Sequence, residues 1–228
     1  MPNTLPEILY EDNHILLVNK RAGDIVQGDK TGDMPLPDLL KNYLKEKYQK
    51  PGQVFLGVVH RLDRPVSGAI IFARTSKALT RLTKMVKARE IHKTYWALVN
   101  QLPTANEQKL VHFLRKNEKQ NKSYVVKKES SGAKEAVLEY RLTASSRTIH
   151  LLEIDLFTGR HHQIRAQLAA IGCPIRGDVK YGEKRPNADG SICLHARKLS
   201  FSHPVTGETL NIEAKLPETP PWQHFQPL

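Results

Sequence analysis

Two short apolar runs, residues 54–59 and 69–73, bracket a polar loop and constrain the fold more than any other stretch of this chain. Both predict buried strands. The loop between them reads His60-Arg61-Leu62-Asp63-Arg64-Pro65-Val66-Ser67-Gly68, closed by Pro65 and by Ser67-Gly68, which favour turns for backbone reasons. A loop held on a rigid scaffold is a usual place for reactive side chains. This one carries a single carboxylate, Asp63, with Arg61 and Arg64 on either side. Cations so placed favour the ionised acid, and an ionised carboxylate can serve as a nucleophile. A salt-bridged turn in a basic protein has the same composition, so the loop alone does not choose between structure and chemistry.

The rest of the chain alternates short strands with few helices. Residues 8–10 and 14–19 predict a hairpin across Glu11-Asp12-Asn13, and Lys20-Arg21-Ala22-Gly23 ends its second strand in a turn. Leu36, Leu39, Leu40, Tyr43, Leu44 and Tyr48 recur at helical spacing, with Pro51-Gly52 as the stop. Thr75-Ser76 can cap a second helix over residues 77–89. Its apolar face is Leu79, Leu82, Met85 and Val86; Lys77, Arg81, Lys84, Lys87 and Arg89 lie opposite, either as a solvated face or as phosphate contacts. Residues 91–99 predict a strand on which Tyr95, Ala97 and Val99 share a face, with Lys93 at its near end. Residues 109–115, 122–127, 135–143 and 147–156 predict four more strands. A third helix is expected to open at Thr158 or Gly159 and close at Gly172, carrying Arg160, His161, His162 and Gln163 in its first turn. Residues 193–201 and 208–214 predict a closing pair of strands.

Composition narrows the partner. Lys and Arg number 35 against 23 Asp and Glu, a formal charge of +12, which favours a polyanion, nucleic acid before membrane. No apolar run is long enough to span a bilayer as a helix. The start lacks the features of a secretory signal, and Cys173 and Cys193 suit free thiols in a reducing compartment, so a cytoplasmic protein is expected. His161, His162, Cys173, Cys193 and His195 follow no metal-ligand spacing, and no phosphate-loop signature occurs. Asp63 has no evident partner acid, which argues against a glycosidase with two carboxylates. One carboxylate, one strand tyrosine and one helical arginine in a basic chain remain. They suit an isomerase of a glycosidic bond that requires neither metal nor cofactor.

His60-Arg61-Leu62-Asp63, two residues, then Val66-Ser67-Gly68 resembles the active-site signature of the RluA family of RNA pseudouridine synthases, with Val66 where that family has threonine. Lys20-Arg21-Ala22-Gly23 is similar to its Lys-Pro-Ala-Gly, and Gly159-Arg160-His161-His162-Gln163-Ile164-Arg165 to its Gly-Arg-Thr-His-Gln-Leu/Ile-Arg. Lys93-Thr94-Tyr95-Trp96-Ala97, Pro174-Ile175-Arg176-Gly177-Asp178, Tyr181-Gly182, Leu194-His195-Ala196 and His203-Pro204 follow the family's order. Together the matches run from about residue 8 to about residue 214.

The resemblance implies an α+β fold, a mixed and largely antiparallel sheet with flanking helices and a central RNA-binding cleft, as one catalytic domain over residues 1–228. It implies that Asp63 is the nucleophile on a flipped-out uridine of ribosomal or transfer RNA. Tyr95 would stack on the uracil, and Arg165 would pair with Asp63. His60, Arg61, Arg64, Lys93, Arg160, His162 and Gln163 would bind RNA, with Arg61 filling the space that the flipped uridine leaves. No metal or cofactor is implied, and nothing demands more than a monomer. The basic face of residues 77–89 and the loop at 116–122 are the candidate outer RNA contacts. A non-catalytic RNA-binding or RNA-folding protein on the same scaffold remains the alternative.

Overall fold

The computed structural model describes residues 4–28 and 32–225, and its chain divides into two compact units. The first comprises Met1–Ile91 and Ala196–Lys215; the second comprises His92–His195 and Leu216–Leu228.

In the first unit the expected hairpin forms from β1 (Glu7–Glu11) and β2 (Ile15–Lys20). Asp12 closes its turn, its carboxylate accepting from the backbone N–H groups of His14 at 2.7 Å and Ile15 at 2.8 Å. After α1 (Leu36–Lys47) and β3 (Gly57–Val58), β4 (Ser67–Ala73) runs antiparallel to β2, from Lys20 opposite Gly68 to Ile15 opposite Ala73. The order is β1-β2-β4-β10, where β10 (Leu194–Ser202) also carries β11 (Thr209–Glu213). Strand β4 is buried at every position, and Ile15 through Val18 of β2 are fully buried. That explains why these strands read as continuous apolar runs instead of alternating. Helix α2 (Ser76–Ala88) covers one side, placing Ala78 and Leu82 against Ile15, Leu17, Ala69, Ile71, Leu199 and Phe201. Burial of each large side chain there contributes about 1.5–3 kcal/mol. The Thr75 hydroxyl accepts from Ala78 N–H at 3.1 Å, the cap expected from the sequence.

The run at residues 54–59 is not the buried strand that its composition suggests. Only Gly57 and Val58 pair with β4, and Phe55 and Val58 are exposed. One edge of β4 belongs to β2 along its whole length, and the other is shared with β10, which leaves β3 room for two residues. Helix α1 likewise ends before its expected stop. Tyr48 caps it and Gln49 turns to φ +47°, ahead of Pro51.

In the second unit β5 (His92–Val99), β6 (Glu107–Asn117), β7 (Lys122–Val126), β8 (Lys134–Ser145) and β9 (His150–Leu156) form a sheet in the order β5-β9-β8-β6-β7. Every ladder in it is antiparallel. Register aligns Tyr95, Ile154, Tyr140 and Gln108 across four strands, so they share one face. Helix α3 (Gln163–Ala170) begins four or five residues later than the sequence suggests. His162 lies in the left-handed region at φ +52°, a conformation that a right-handed helix cannot contain, so residues 158–162 form a turn that leads into the helix. Gly172, at φ +79°, closes α3 as expected. A short helix, α4 (Pro220–Gln223), follows near the C-terminus. Antiparallel strands with few helices agree with the α+β class.

Gly68 has φ +117°, and a Cβ there would come within 2.4 Å of the Ala196 carbonyl oxygen and 2.5 Å of its nitrogen, both rigid backbone. Gly68→Ala is therefore expected to destabilise the first unit by at least about 2 kcal/mol, read as a lowered thermal midpoint; an unchanged midpoint would contradict the close β4–β10 approach.

Candidate active site

The acid-bearing loop rises from the start of β4, and the chemistry beneath it comes from β2. Lys20, the last residue of β2, is completely buried. Its ammonium donates to the carbonyl oxygens of Val66 at 2.7 Å, Arg21 at 2.9 Å and Arg64 at 3.2 Å. Gly23 N–H also donates to the Arg64 carbonyl, at 2.8 Å. Asp63 O accepts from Val66 N–H at 3.0 Å, so Asp63 opens a tight turn whose far side rests on Lys20. Leu62 and Val66 are buried, whereas Asp63 itself is half-buried. Burial pushes the Lys20 ammonium down to about 7, and the carboxylates of Asp24 and Asp63 oppose that shift. The sequence supplied arginines as neighbours for the acid; the fold adds this lysine, which reads in the sequence as the end of a strand.

The two arginines beside Asp63 are exposed and reach outward. Arg61 Nη1 donates to Gln27 Oε1 at 2.6 Å, and Arg64 pairs with Asp33. His60 Nε2 accepts from Ile71 N–H at 3.4 Å, a long bond that faces it toward β4. Two departures from the family pattern also gain an account. Val66 is 2% exposed, so the position normally held by threonine is filled by methyl groups in an apolar setting. Arg21, where the pattern has proline, replaces a covalent constraint with hydrogen bonds to Thr4 and an ion pair with Asp24 at 3.4 Å.

In the second unit Tyr95 is buried on β5, on the face shared with Tyr140 and Ile154. Lys93 stands two residues earlier on the same face, its ammonium disfavoured by burial. Arg165, one turn into α3, is 5% exposed and binds Asp178 in a two-pronged pair: Nε to Oδ2 at 2.7 Å and Nη2 to Oδ1 at 2.8 Å. Its guanidinium also lies 5.1 Å from the centre of the Tyr181 ring. Asp178 was visible in the sequence only as part of Gly177-Asp178, and nothing in its spacing revealed that it would grip the arginine.

The turn before α3 is held by side chains expected to touch RNA. Gln163, 3% exposed, accepts from the Thr158 hydroxyl at 2.7 Å and Arg160 N–H at 3.0 Å, and donates to the Val137 carbonyl at 3.1 Å. Its amide is engaged within the protein, so the structure gives Gln163 the work of holding the turn in place of contact with a ligand. His162 is also buried, and burial together with the nearby Arg165, His161, Lys180 and Lys116 pushes it down to about 2, leaving it neutral. The Tyr181 hydroxyl accepts from Ser123 N–H at 2.8 Å and shares a hydrogen bond with His162 Nδ1 at 3.0 Å. His161 stacks on His162 at 3.7 Å and joins Ser123 Oγ at 2.9 Å to Asn121 Oδ1 at 3.1 Å. This histidine, where the family pattern has threonine, thus ties the β6–β7 turn to the entry of α3. Arg160 is half-buried, its Nε donating to the Glu135 carbonyl at 2.8 Å.

Among solved structures, the fold is similar to human RNA pseudouridylate synthase domain containing 4, with a TM-score of 0.77 and 25% identity over 93% of this chain and 89% of that one. The family model described as RNA pseudouridylate synthase matches residues 14–170, a span that includes Asp63, Tyr95 and Arg165. Relatives include ribosomal large subunit pseudouridine synthase D of Xanthomonas campestris, 33% identical over 95% of this chain and 68% of that protein. Pseudouridine synthase C of Buchnera aphidicola is 31% identical over 94% of this chain and 68% of its own length. The chain belongs to the RNA pseudouridylate synthase family. It is an isomerase that acts on RNA, converting uridine to pseudouridine.

Replacing Asp178 with Asn should remove the carboxylate from a two-pronged buried pair and cost about 3–5 kcal/mol in urea unfolding; a loss below about 1 kcal/mol would mean that the pair does not hold Arg165. The depressed pKa of Lys20 gives a second expectation. Because the folded value (about 7) lies below the ordinary 10.5, the unfolded chain binds more protons between those limits, and stability rises with pH across that window. Unfolding of the wild type against Lys20→Met should therefore shift in favour of the wild type as pH climbs from about 7 to 10.5, and a flat difference would show that Lys20 keeps an ordinary pKa in the fold.

Proposed function

We propose that Asp63 is the nucleophile of this pseudouridine synthase and that its RNA is that of the large ribosomal subunit. The observation that carries the first part is the loop geometry. A half-buried carboxylate stands on a turn that a fully buried lysine holds by three carbonyl oxygens. A nucleophile needs this combination of access and fixed position. The second part rests on the relatives named as synthases C and D of the large subunit.

In the reaction the bond from ribose carbon 1 to uracil nitrogen 1 breaks, the base turns, and a bond from the same ribose carbon to uracil carbon 5 forms. The proton leaves carbon 5 and nitrogen 1 gains one, so substrate and product are isomers and nothing is consumed. Asp63 adds to the nucleotide, at the ribose or at the pyrimidine ring, and is released unchanged. The uridine must leave its stack to expose the glycosidic bond. Arg61, exposed beside Asp63, takes the vacated space, and Arg64, Arg160, His60 and Lys93 contribute RNA contacts. Tyr95 stacks on the uracil, the role that the family resemblance gives it, and Arg165, gripped by Asp178, is the arginine that the same resemblance assigns to the nucleophile. His162 and Gln163 serve by holding the turn that presents Arg165.

The test compares wild type and Asp63→Asn in a strain lacking the gene, with pseudouridine mapped by site in ribosomal and transfer RNA. Wild type is expected to restore one or a few sites in the large-subunit RNA, and the variant, matched for thermal midpoint, none. Restoration by both proteins would remove Asp63 from the chemistry. Sites confined to transfer RNA would correct the substrate while leaving the nucleophile in place.

A further inference from the structure

Helix α2 raises a question that the catalytic residues do not answer. Its inner side is apolar and seated on the first unit's core, with Ala78 and Leu82 fully buried. Its outer side carries Lys77, Arg81, Lys84 and Lys87, and the sequence Ser76–Ala88 contains no acid. At 100° per residue Lys77, Arg81 and Lys84 fall within about 60° of one another, and Lys87 continues the stripe toward the C-terminal end. Neighbours three and four apart therefore carry like charge, which weakens a helix. Lys77 also places a cation in the first turn, the wrong end for the helix dipole. Arg89 adds a further cation just beyond the helix, in a left-handed cap at φ +63° where glycine or asparagine is the favoured residue.

Helix α1 in the same unit pairs two of its three lysines with acids. There Lys41 pairs with Asp38 at 2.9 Å and Lys47 with Glu11 at 2.9 Å. In the loop at 116–122, Lys116 pairs with Glu118 at 2.6 Å and Lys122 lies over the rings of Tyr124 and Tyr181, while Lys119 has no ion-pair partner among the described residues. On α2, Lys77, Lys84, Lys87 and Arg89 have no ion-pair partner among the described residues, and all four are exposed. Arg81 alone is engaged, its Nη1 donating to the Pro204 carbonyl at 2.6 Å.

We infer that the outer face of α2 is an RNA-backbone docking surface, which holds a phosphate strand of the substrate outside the target nucleotide. This inference rests on the chain's RNA reading and assigns to that substrate a second place of contact. Lys77 to Lys87 spans about 15 Å of helix. That length matches about four or five phosphates of a helical strand at roughly 3.4 Å each. Contacts of this kind carry no sequence information; they fix register and add affinity that salt removes.

The experiment measures binding of a structured hairpin RNA with uridine in its loop, from about 50 to 200 mM salt. It compares wild type, the triple variant Lys77→Gln/Lys84→Gln/Lys87→Gln, and Lys41→Gln on α1 as the control. Thermal midpoints verify that each protein is folded. Three lost phosphate contacts should lower the slope of log K against log salt by about 2 to 3, so that affinity falls roughly 20- to 40-fold less over that range than in wild type. The control should keep the wild-type slope. A triple variant with the wild-type slope overturns the docking surface and leaves the synthase reading intact, since Asp63 is tested separately by site mapping. Equal loss of slope in the Lys41→Gln control would show general charge attraction and also overturn it. Wild-type protein that does not bind the RNA at all would remove both this surface and the RNA reading beneath it.

Discussion

A single buried ammonium sets the geometry on which the first unit's chemistry depends. Burying a lysine is costly unless its charge is met, and Lys20 is met by three carbonyl oxygens that belong to the acid-bearing loop and to its own turn. The β2–β4 register, which sets Lys20 opposite Gly68, determines which carbonyls it meets. Gly68 in turn permits the close approach of the Ala196 backbone, so the loop, the lysine and the ladder are one constraint. The shape of the loop follows from main-chain groups, and its side chains are left available for contact.

The second unit solves the same problem with an arginine. Arg165 is buried at the start of a helix and compensated by the two oxygens of Asp178 and by the Tyr181 ring. Around it, Gln163, His162 and His161 bind the preceding turn and the β6–β7 turn to the helix entry. The neutrality of His162 is a consequence of this crowding: burial and the neighbouring positive charge of Arg165 both disfavour its protonated form. Gln163 and His162, which read as ligand contacts in the sequence, are thus engaged within the protein.

Much of this was legible before the structure. The hairpin at the start, both long helices, the Thr75 cap, the strand of Tyr95 and the Gly172 stop follow from local periodicity and backbone preference, which act over a few residues. The failures share one cause. Residues 54–59 have a strand's composition, but the edge of β4 available to them is largely taken by β10. Residues 158–162 have a helix's flanks, but Thr158 and Gln163 bond the backbone of Val137, distant in sequence, and hold a left-handed turn there. In each case competition for a partner distant in sequence decided the outcome.

The class of strands and helices, the basic charge and the order of the family's motifs, with Asp63, Tyr95 and Arg165 among them, are read from residue type and spacing, which are properties of the chain alone. Folding alone settles that Lys20 carries the loop, that Asp178 grips Arg165, that Gln163 is bonded inward and that Lys77, Lys84 and Lys87 of α2 have no ion-pair partner among the described residues. Those facts depend on which groups meet after folding, and a buried charge acquires its partner from the fold.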